Sequence, residues 1–231
     1  MATRRRQQPI GTDEHLYIRG PAEHRGPCPA LNALANQGYL NVTSPRHGRN
    51  LTVAQVQGAL RSALWMTPAL AASNTRQLKP ILRSDGTFDL TDLSRHGVIE
   101  HDRSFTRLDF GHGGDNYTLQ PDMFRALLDD ARGGPLTVKT LARTFRRRAE
   151  EHIRSGGKPL TLQMWLVNLA QSVSFLNVAE KTGGVSREVV DAFYLEERFS
   201  EEVLGDERPR TLFGLVGWML RLLVYVYVLR V

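Results

Sequence analysis

The stretch "GPCPALNALANQGYL", Gly26 to Leu40, holds the only cysteine of a 231-residue chain. Cys28 stands between two prolines, directly before an apolar repeat of helical period: Leu31, Leu34 and Ala35 share one face, and Gly38 stops the run. Pro29 suits the first position of a helix, because the N–H it lacks would have had no partner there. Cys28 then sits at or beside the N-cap, facing the free N–H groups of Ala30 and Leu31 and the positive helix end. That setting is expected to lower the thiol pKa and favour thiolate. Prolines on both sides restrict the sulfur, as a nucleophile or a metal ligand requires. Simple burial of a small thiol is the alternative at this point.

A lone cysteine excludes a disulfide framework, so the fold depends on its core or on a bound cofactor. Hydrophobic residues make up 41% and charged residues 23%, ordinary for one folded domain of this length. The net charge of +6 raises the question of nucleic acid. The basic residues are scattered, however, with short runs only at Arg4 to Arg6 and Arg146 to Arg148, and no aromatics are interleaved with them. A solvated basic face is expected, and no nucleic-acid partner.

Downstream, the apolar periodicities are mostly helical. Thr52 caps a helix carrying Val53, Val56, Leu60 and Leu64. Pro121 opens another, and "TVKTLARTFRRRAEEHIRS" is a long amphipathic one closed by Gly156 and Gly157. "TLQMWLVNLAQSVSFLNVAEKTGG" is the most apolar internal helix and so the central one, and Ser186 caps a last helix. Alternating strand patterns are scarce. The expectation is a mainly α single domain over residues 25–210 with at most a small β-hairpin, preceded by an irregular arm over 1–24.

Residues 211–231 form an apolar C-terminal segment broken only by Arg221 and Arg230. About 20 apolar residues span a bilayer, although an Arg near the middle costs roughly 2.5–3.5 kcal/mol. Membrane association, spanning or interfacial, is expected, with packing on the domain as the alternative. The basic N-terminus has no apolar stretch behind it and does not read as a secretory signal, so an intracellular location is expected. The matches to glycosylation acceptors at Asn41, Asn50 and Asn116 are then chance.

A second cluster lies at "VIEHDRSFTRLDFGHGGDN", Val98 to Asn116. Glu100, His101, Asp102 and Ser104 gather oxygen and nitrogen groups on one turn. A carboxylate, a hydroxyl four residues later and free carbonyls between them suit a hard cation such as Mg²⁺. His15, His24, His47 and His152 fall in polar stretches and read as surface residues. His96 reads as a helix-end cap, and His112 has no partner at zinc spacing.

Taken together, Cys between prolines, Leu-Asn-x-Leu-Ala-Asn-x-Gly-Tyr-Leu, "GRNLT" and "EHDRS" resemble the fungal haem-thiolate peroxidase family, of chloroperoxidase and short unspecific peroxygenase type, from about Arg25 to about Arg198. The resemblance implies a helical domain around haem b, with Cys28 as the axial thiolate. It implies that Glu100, the His101 carbonyl and Ser104 hold Mg²⁺ against a haem propionate. The His101 ring lies near the distal side, Ile99 contributes to the apolar wall, and Phe175 and Leu176 are wall residues.

The family's distal Glu, which moves a proton between the peroxide oxygens, falls by spacing at Gln171. An amide there can only hydrogen-bond. Gln37 also departs, where the family has His. Of the nearby carboxylates, Glu150 and Glu151 read as a solvent face paired at i, i+4, and Glu180 lies too far along its helix. His101 is the better candidate base. The implied activity is oxygenation or oxidation of an apolar organic substrate by hydrogen peroxide, in secondary metabolism. The change at Gln171 keeps a redox-neutral step (dehydration, cyclisation or rearrangement) as the alternative.

Overall fold

A computed structural model describes residues 15–40 and 48–230. Arg4 to Arg6, Asn41 and His47 lie outside the described residues. Among those described, the chain forms nine α-helices and one two-stranded antiparallel ladder.

Helix α1 (Pro29–Asn36) starts with Cys28 at the N-cap and Pro29 in the first turn, as the proline placement predicts. It ends at Gln37, and Gly38 takes φ 75°, a left-handed turn that glycine adopts without strain. Strand β1 (Leu51–Thr52) leads directly into α2 (Val53–Leu64), whose start is secured by a reciprocal Thr52–Gln55 capping box. Strand β2 (Thr87–Phe88) pairs with β1 through Leu51 opposite Phe88. The ladder is the small antiparallel β element that the sequence allows, its strands set apart by α2 and α3 (Pro68–Arg76) rather than joined by a tight turn. Two-residue strands carry no alternation to read, and burial of Leu51 and Phe88, both 0% exposed, decides their pairing.

The second half stacks α4 (Pro121–Asp130), α5 (Val138–Arg154), α6 (Leu162–Ala179), α7 (Arg187–Tyr194), the short α8 (Glu201–Leu204) and α9 (Leu212–Leu223). Helix α6 is central, packing on both α5 and α9, with Leu169, Val173 and Leu176 fully buried. Helix α9 continues as a π-helical turn over Val224–Val228.

The apolar terminus packs against α5 and α6. Leu215, Leu222 and Val226 face the core while Phe213 and Leu220 face outward. Among the described residues no helix is long and apolar enough to cross a membrane. Buried Arg210 secures the entry to α9. Its guanidinium donates to the Val178 carbonyl at 2.8 and 3.2 Å and pairs with Asp206 at 3.1 Å. Its backbone N–H donates to the Trp65 carbonyl at 2.9 Å. Leu222 is 0% exposed, so Leu222→Ala should cost about 2–5 kcal/mol in urea unfolding. A cost under about 0.5 kcal/mol would mean that α9 does not pack on the domain in solution.

Candidate active site

A cavity of about 280 Å³ opens between the start of α1, α2, the loop over residues 99–107, α6 and α7. Cys28, Ala30, Leu31, Glu100, Ile99, His101, Ser104, Gln171 and Phe175 all line it, so residues more than a hundred positions apart in sequence meet there. Leu176 does not line it. It is 0% exposed within the core.

The loop entering α1 is held by the helix's own amides. Asn32 accepts from Gly26 N–H at 3.2 Å and donates to the Gly26 carbonyl at 2.8 Å, and it also reaches Glu197 at 2.7 Å. One turn later, Asn36 accepts from Gly20 N–H and from Arg25, and donates to the Glu197 carbonyl at 3.1 Å. Gln37 brackets Phe199 in the same way, accepting from its N–H at 2.8 Å and donating to its carbonyl at 2.9 Å. Gly26 is required by close approach, since a Cβ there would lie 2.0 Å from the Leu90 carbonyl oxygen. In the sequence Gln37 stood out only as a departure from the family's His, and Asn32 and Asn36 only as letters of the motif, with no role read for any of the three. Their spacing, with Asn32 and Asn36 at i, i+4 on an otherwise apolar helix, is the signal that marks them.

The N–H groups of Leu31 and Ala30 do reach the Cys28 thiol and lower its pKa, but burial outweighs them and the net shift is upward. The thiol pKa is thus raised rather than lowered as the helix end alone would make it, because in this cavity the desolvation of a thiolate exceeds what two N–H groups supply. Burial therefore favours the neutral thiol at Cys28.

Opposite, His101 is 6% exposed. Its Nδ1 lies 2.7 Å from the Asp102 carbonyl oxygen. A carbonyl only accepts, so Nδ1 carries the hydrogen and Nε2 keeps a lone pair. Nε2 is buried with no hydrogen-bond partner among the described residues. Burial lowers the ring's pKa, so the imidazole is neutral at neutral pH. Asn168 and Gln171 on α6 stand nearby, Asn168 Nδ2 at 3.4 Å from His101 Nδ1 and Gln171 Nε2 at 3.4 Å from the Ile99 carbonyl, both long for hydrogen bonds. The cavity-lining residues of α6 include no carboxylate.

His96 does not cap a helix. It pairs with Glu100 at 2.7 Å and stacks on Phe110 with ring centres 4.5 Å apart. Burial raises the Glu100 carboxyl pKa, opposed by His96 and Asn116. Among the described residues no three His, Cys, Asp or Glu side chains gather to hold a metal. Tyr194, also lining the cavity, is pushed up to about 12 by burial and stays protonated.

The loop itself is anchored from α5. Asp109 accepts from Arg103 N–H at 2.8 Å and Arg148 Nη2 at 2.7 Å, and lies 2.7 Å from His152 Nδ1. Arg148 Nε also donates to the Ser104 carbonyl at 2.7 Å, and His152 Nε2 lies 2.8 Å from the Lys158 carbonyl. His152, expected at the surface, is 2% exposed. The signal was present: Leu141, Phe145, Arg148 and His152 recur at 4, 3 and 4 residues and so share the core face of α5. Glu151 pairs outward with Arg147 at 3.0 Å, in the solvent-face role its spacing predicts, and also with Arg148. Glu180 ends α6 and does not line the cavity.

A model of the family described as "Peroxidase, family 2" matches residues 15–208, and the chain belongs to this family, the haem-thiolate peroxidases. It is an enzyme of that type. Its relatives are fungal. An aromatic peroxygenase of Coprinellus radians is 27% identical over 206 residues, covering 79% of this chain and 78% of its own. A chloroperoxidase of Leptoxyphium fumago is 32% identical over 128 residues, 49% of this chain and 33% of its own. A dothistromin biosynthesis peroxidase of Dothistroma septosporum is 29% identical over 141 residues, 52% of this chain and 33% of its own. The chain thus spans about a third of the last two.

Removing Asp109 takes the buried acceptor from Arg148 Nη2, His152 Nδ1 and the Arg103 N–H at once, and leaves Arg148 with only the half-exposed Glu151 as a carboxylate partner. Asp109→Ala should therefore cost about 3–5 kcal/mol in urea unfolding, while Glu151→Gln, whose side chain is 35% exposed, should cost under about 1 kcal/mol. Equal costs would show that the Asp109 cluster does not anchor the loop.

Proposed function

We infer that this enzyme binds haem b through Cys28 and uses hydrogen peroxide to oxygenate or oxidise an apolar organic substrate. The observation that carries this reading is the pairing, across one cavity, of a sulfur held at a helix N-terminus with the free Nε2 of a neutral buried imidazole. The residues fit the cofactor. A raised-pKa thiol in an apolar wall needs a cation to hold its thiolate, and ferric iron is such a cation. A haem so held supplies the oxidising chemistry, with electron donation from the thiolate favouring cleavage of the peroxide O–O bond.

The remaining work falls to this chain. His101 Nε2 accepts the proton of hydrogen peroxide, while the Asp102 carbonyl keeps the ring in the Nδ1–H tautomer. The same nitrogen then returns the proton to the oxygen that leaves as water. Asn168 and Gln171 hydrogen-bond to peroxide without taking its proton. Leu60, Leu64, Ile99 and Phe175 present an apolar wall to substrate and exclude water. Glu100, the His101 carbonyl and Ser104 offer the hard oxygen donors that suit Mg²⁺, with Glu100 exchanging its His96 partner for the ion. A role in making a secondary metabolite is supported by the printed name of the Dothistroma relative. The second reading, a redox-neutral step at the same haem, is favoured by the lack of a carboxylate on the cavity face of α6.

The reduced holoprotein with carbon monoxide should show the red-shifted absorption of thiolate-ligated haem, and Cys28→Ala should lose it. A wild type without that band overturns the reading. Substrate-dependent consumption of peroxide decides for oxidation over the redox-neutral alternative.

His101→Gln should lower peroxide consumption by about 10²–10⁴-fold with the haem spectrum intact. The base works unprotonated, and burial lowers its pKa below the ordinary imidazole value of about 6.5. The wild-type rate should therefore hold from neutral pH down past that value and fall only in more acid solution. A limb centred above it would assign the proton to another group.

A further inference from the structure

Arg103 lines the same cavity, yet its side chain makes no hydrogen bond or ion pair among the described residues, and its Nε is buried without a partner. The backbone holds it there. Arg103 has φ 72°, in the left-handed region that favours glycine, and its N–H is fixed by Asp109 at 2.8 Å. Asp109 is in turn fixed by Arg148 and His152. A guanidinium is thus presented at a defined place on the cavity wall with its buried Nε unpaired, an arrangement that an acceptor on a ligand would relieve.

The neighbouring groups do not supply one. Glu100 is engaged with His96, and Asp109 with Arg148 and His152. Arg107, also on the cavity wall and 3% exposed, adds a second positive charge. It bonds Thr106 Oγ1 at 2.7 Å and the Tyr117 carbonyl at 3.3 Å, and its nearest carboxylate oxygen, on Glu197, is 3.7 Å away. Two arginines thus line the cavity, of which only Arg103 has no carboxylate within ion-pair distance among the described residues, and a guanidinium matches a carboxylate in two parallel hydrogen bonds.

We propose that Arg103 is a carboxylate-binding residue of the cavity. The carboxylate has two possible sources, a propionate of the haem or the acid group of an apolar organic substrate. The inference rests on the haem reading only for the first of these.

The experiment uses holoprotein of wild type, Arg103→Asn and Arg103→Lys. Asn removes the charge while tolerating the left-handed backbone, and Lys retains the charge without the fork. In one arm, the protein is loaded with haemin or with haemin dimethyl ester and transfer to excess apomyoglobin is followed. A propionate source gives about tenfold or faster loss of haemin from Arg103→Asn, the effect of one charge-assisted hydrogen bond. Lys falls between, and the dimethyl ester leaves all three proteins at one rate.

In the other arm, dodecanoate and methyl dodecanoate are bound by equilibrium dialysis. A substrate source leaves haemin transfer unchanged, while Arg103→Asn loses about tenfold in affinity for the acid and none for the ester. If neither arm distinguishes Arg103→Asn from a wild type that shows the thiolate-haem spectrum, the proposal is overturned. A wild type with no such spectrum overturns the haem reading instead, and the dodecanoate arm alone then decides for or against Arg103.

Discussion

The architecture of the site depends on satisfying the buried backbone that leads into α1. The Gly26–Cys28 turn runs against the Leu90 carbonyl, too close for any side chain at Gly26, and buried amide groups there would be costly without partners. Asn32 closes on both backbone groups of Gly26, and Asn36 and Gln37 extend the same device to Arg25 and Phe199. Three amides on one helix therefore join segments from both ends of the domain and leave Cys28 with little freedom. The restriction that the two prolines place on Cys28 is thus joined by hydrogen bonds that the sequence reading did not include.

A second, ionic device holds the opposite wall. Asp109, Arg148 and His152 form a buried cluster on which the loop of Glu100, His101 and Ser104 hangs. Buried charges of this kind are weak contributors to net stability but strict about geometry, since each is tolerable only with its partner in place. The cavity is thus set between a neutral amide network and an ionic one, joined through Glu197, which accepts from Asn32 at 2.7 Å and lies 3.7 Å from Arg107 of the loop.

Desolvation governs the chemistry inside. It raises the thiol of Cys28, the carboxyl of Glu100 and the phenol of Tyr194, and lowers the imidazole of His101. All four shifts favour the neutral form, as a low-dielectric cavity requires. Positive charge persists on the wall at Arg103 and Arg107, which gives these arginines their importance.

The helices at Pro29, Val53, Pro121, Val138, Leu162 and Arg187 were legible because they rest on local signals, proline and glycine placement and 3.6-residue periodicity, whereas α3 and α8 were not read, and the meeting of Cys28 with "EHDRS" was implied only by the family resemblance. Thr52, Pro121, Thr161 and Ser186 start helices where the sequence places them. The Leu51–Phe88 ladder was not legible as such, because its strands are too short to carry a pattern and pair only when the intervening helices fold. His152 and Arg148 misled because their polarity spoke for solvent while their spacing spoke for the core. By itself, then, the sequence determined a mainly helical domain of the haem-thiolate peroxidase family with its sulfur at a helix start. Only the tertiary structure decided which polar groups are buried, which of them find partners, and in which direction each titration shifts. Those properties depend on the solvent and charges that distant segments remove or bring, and no local stretch of chain contains them.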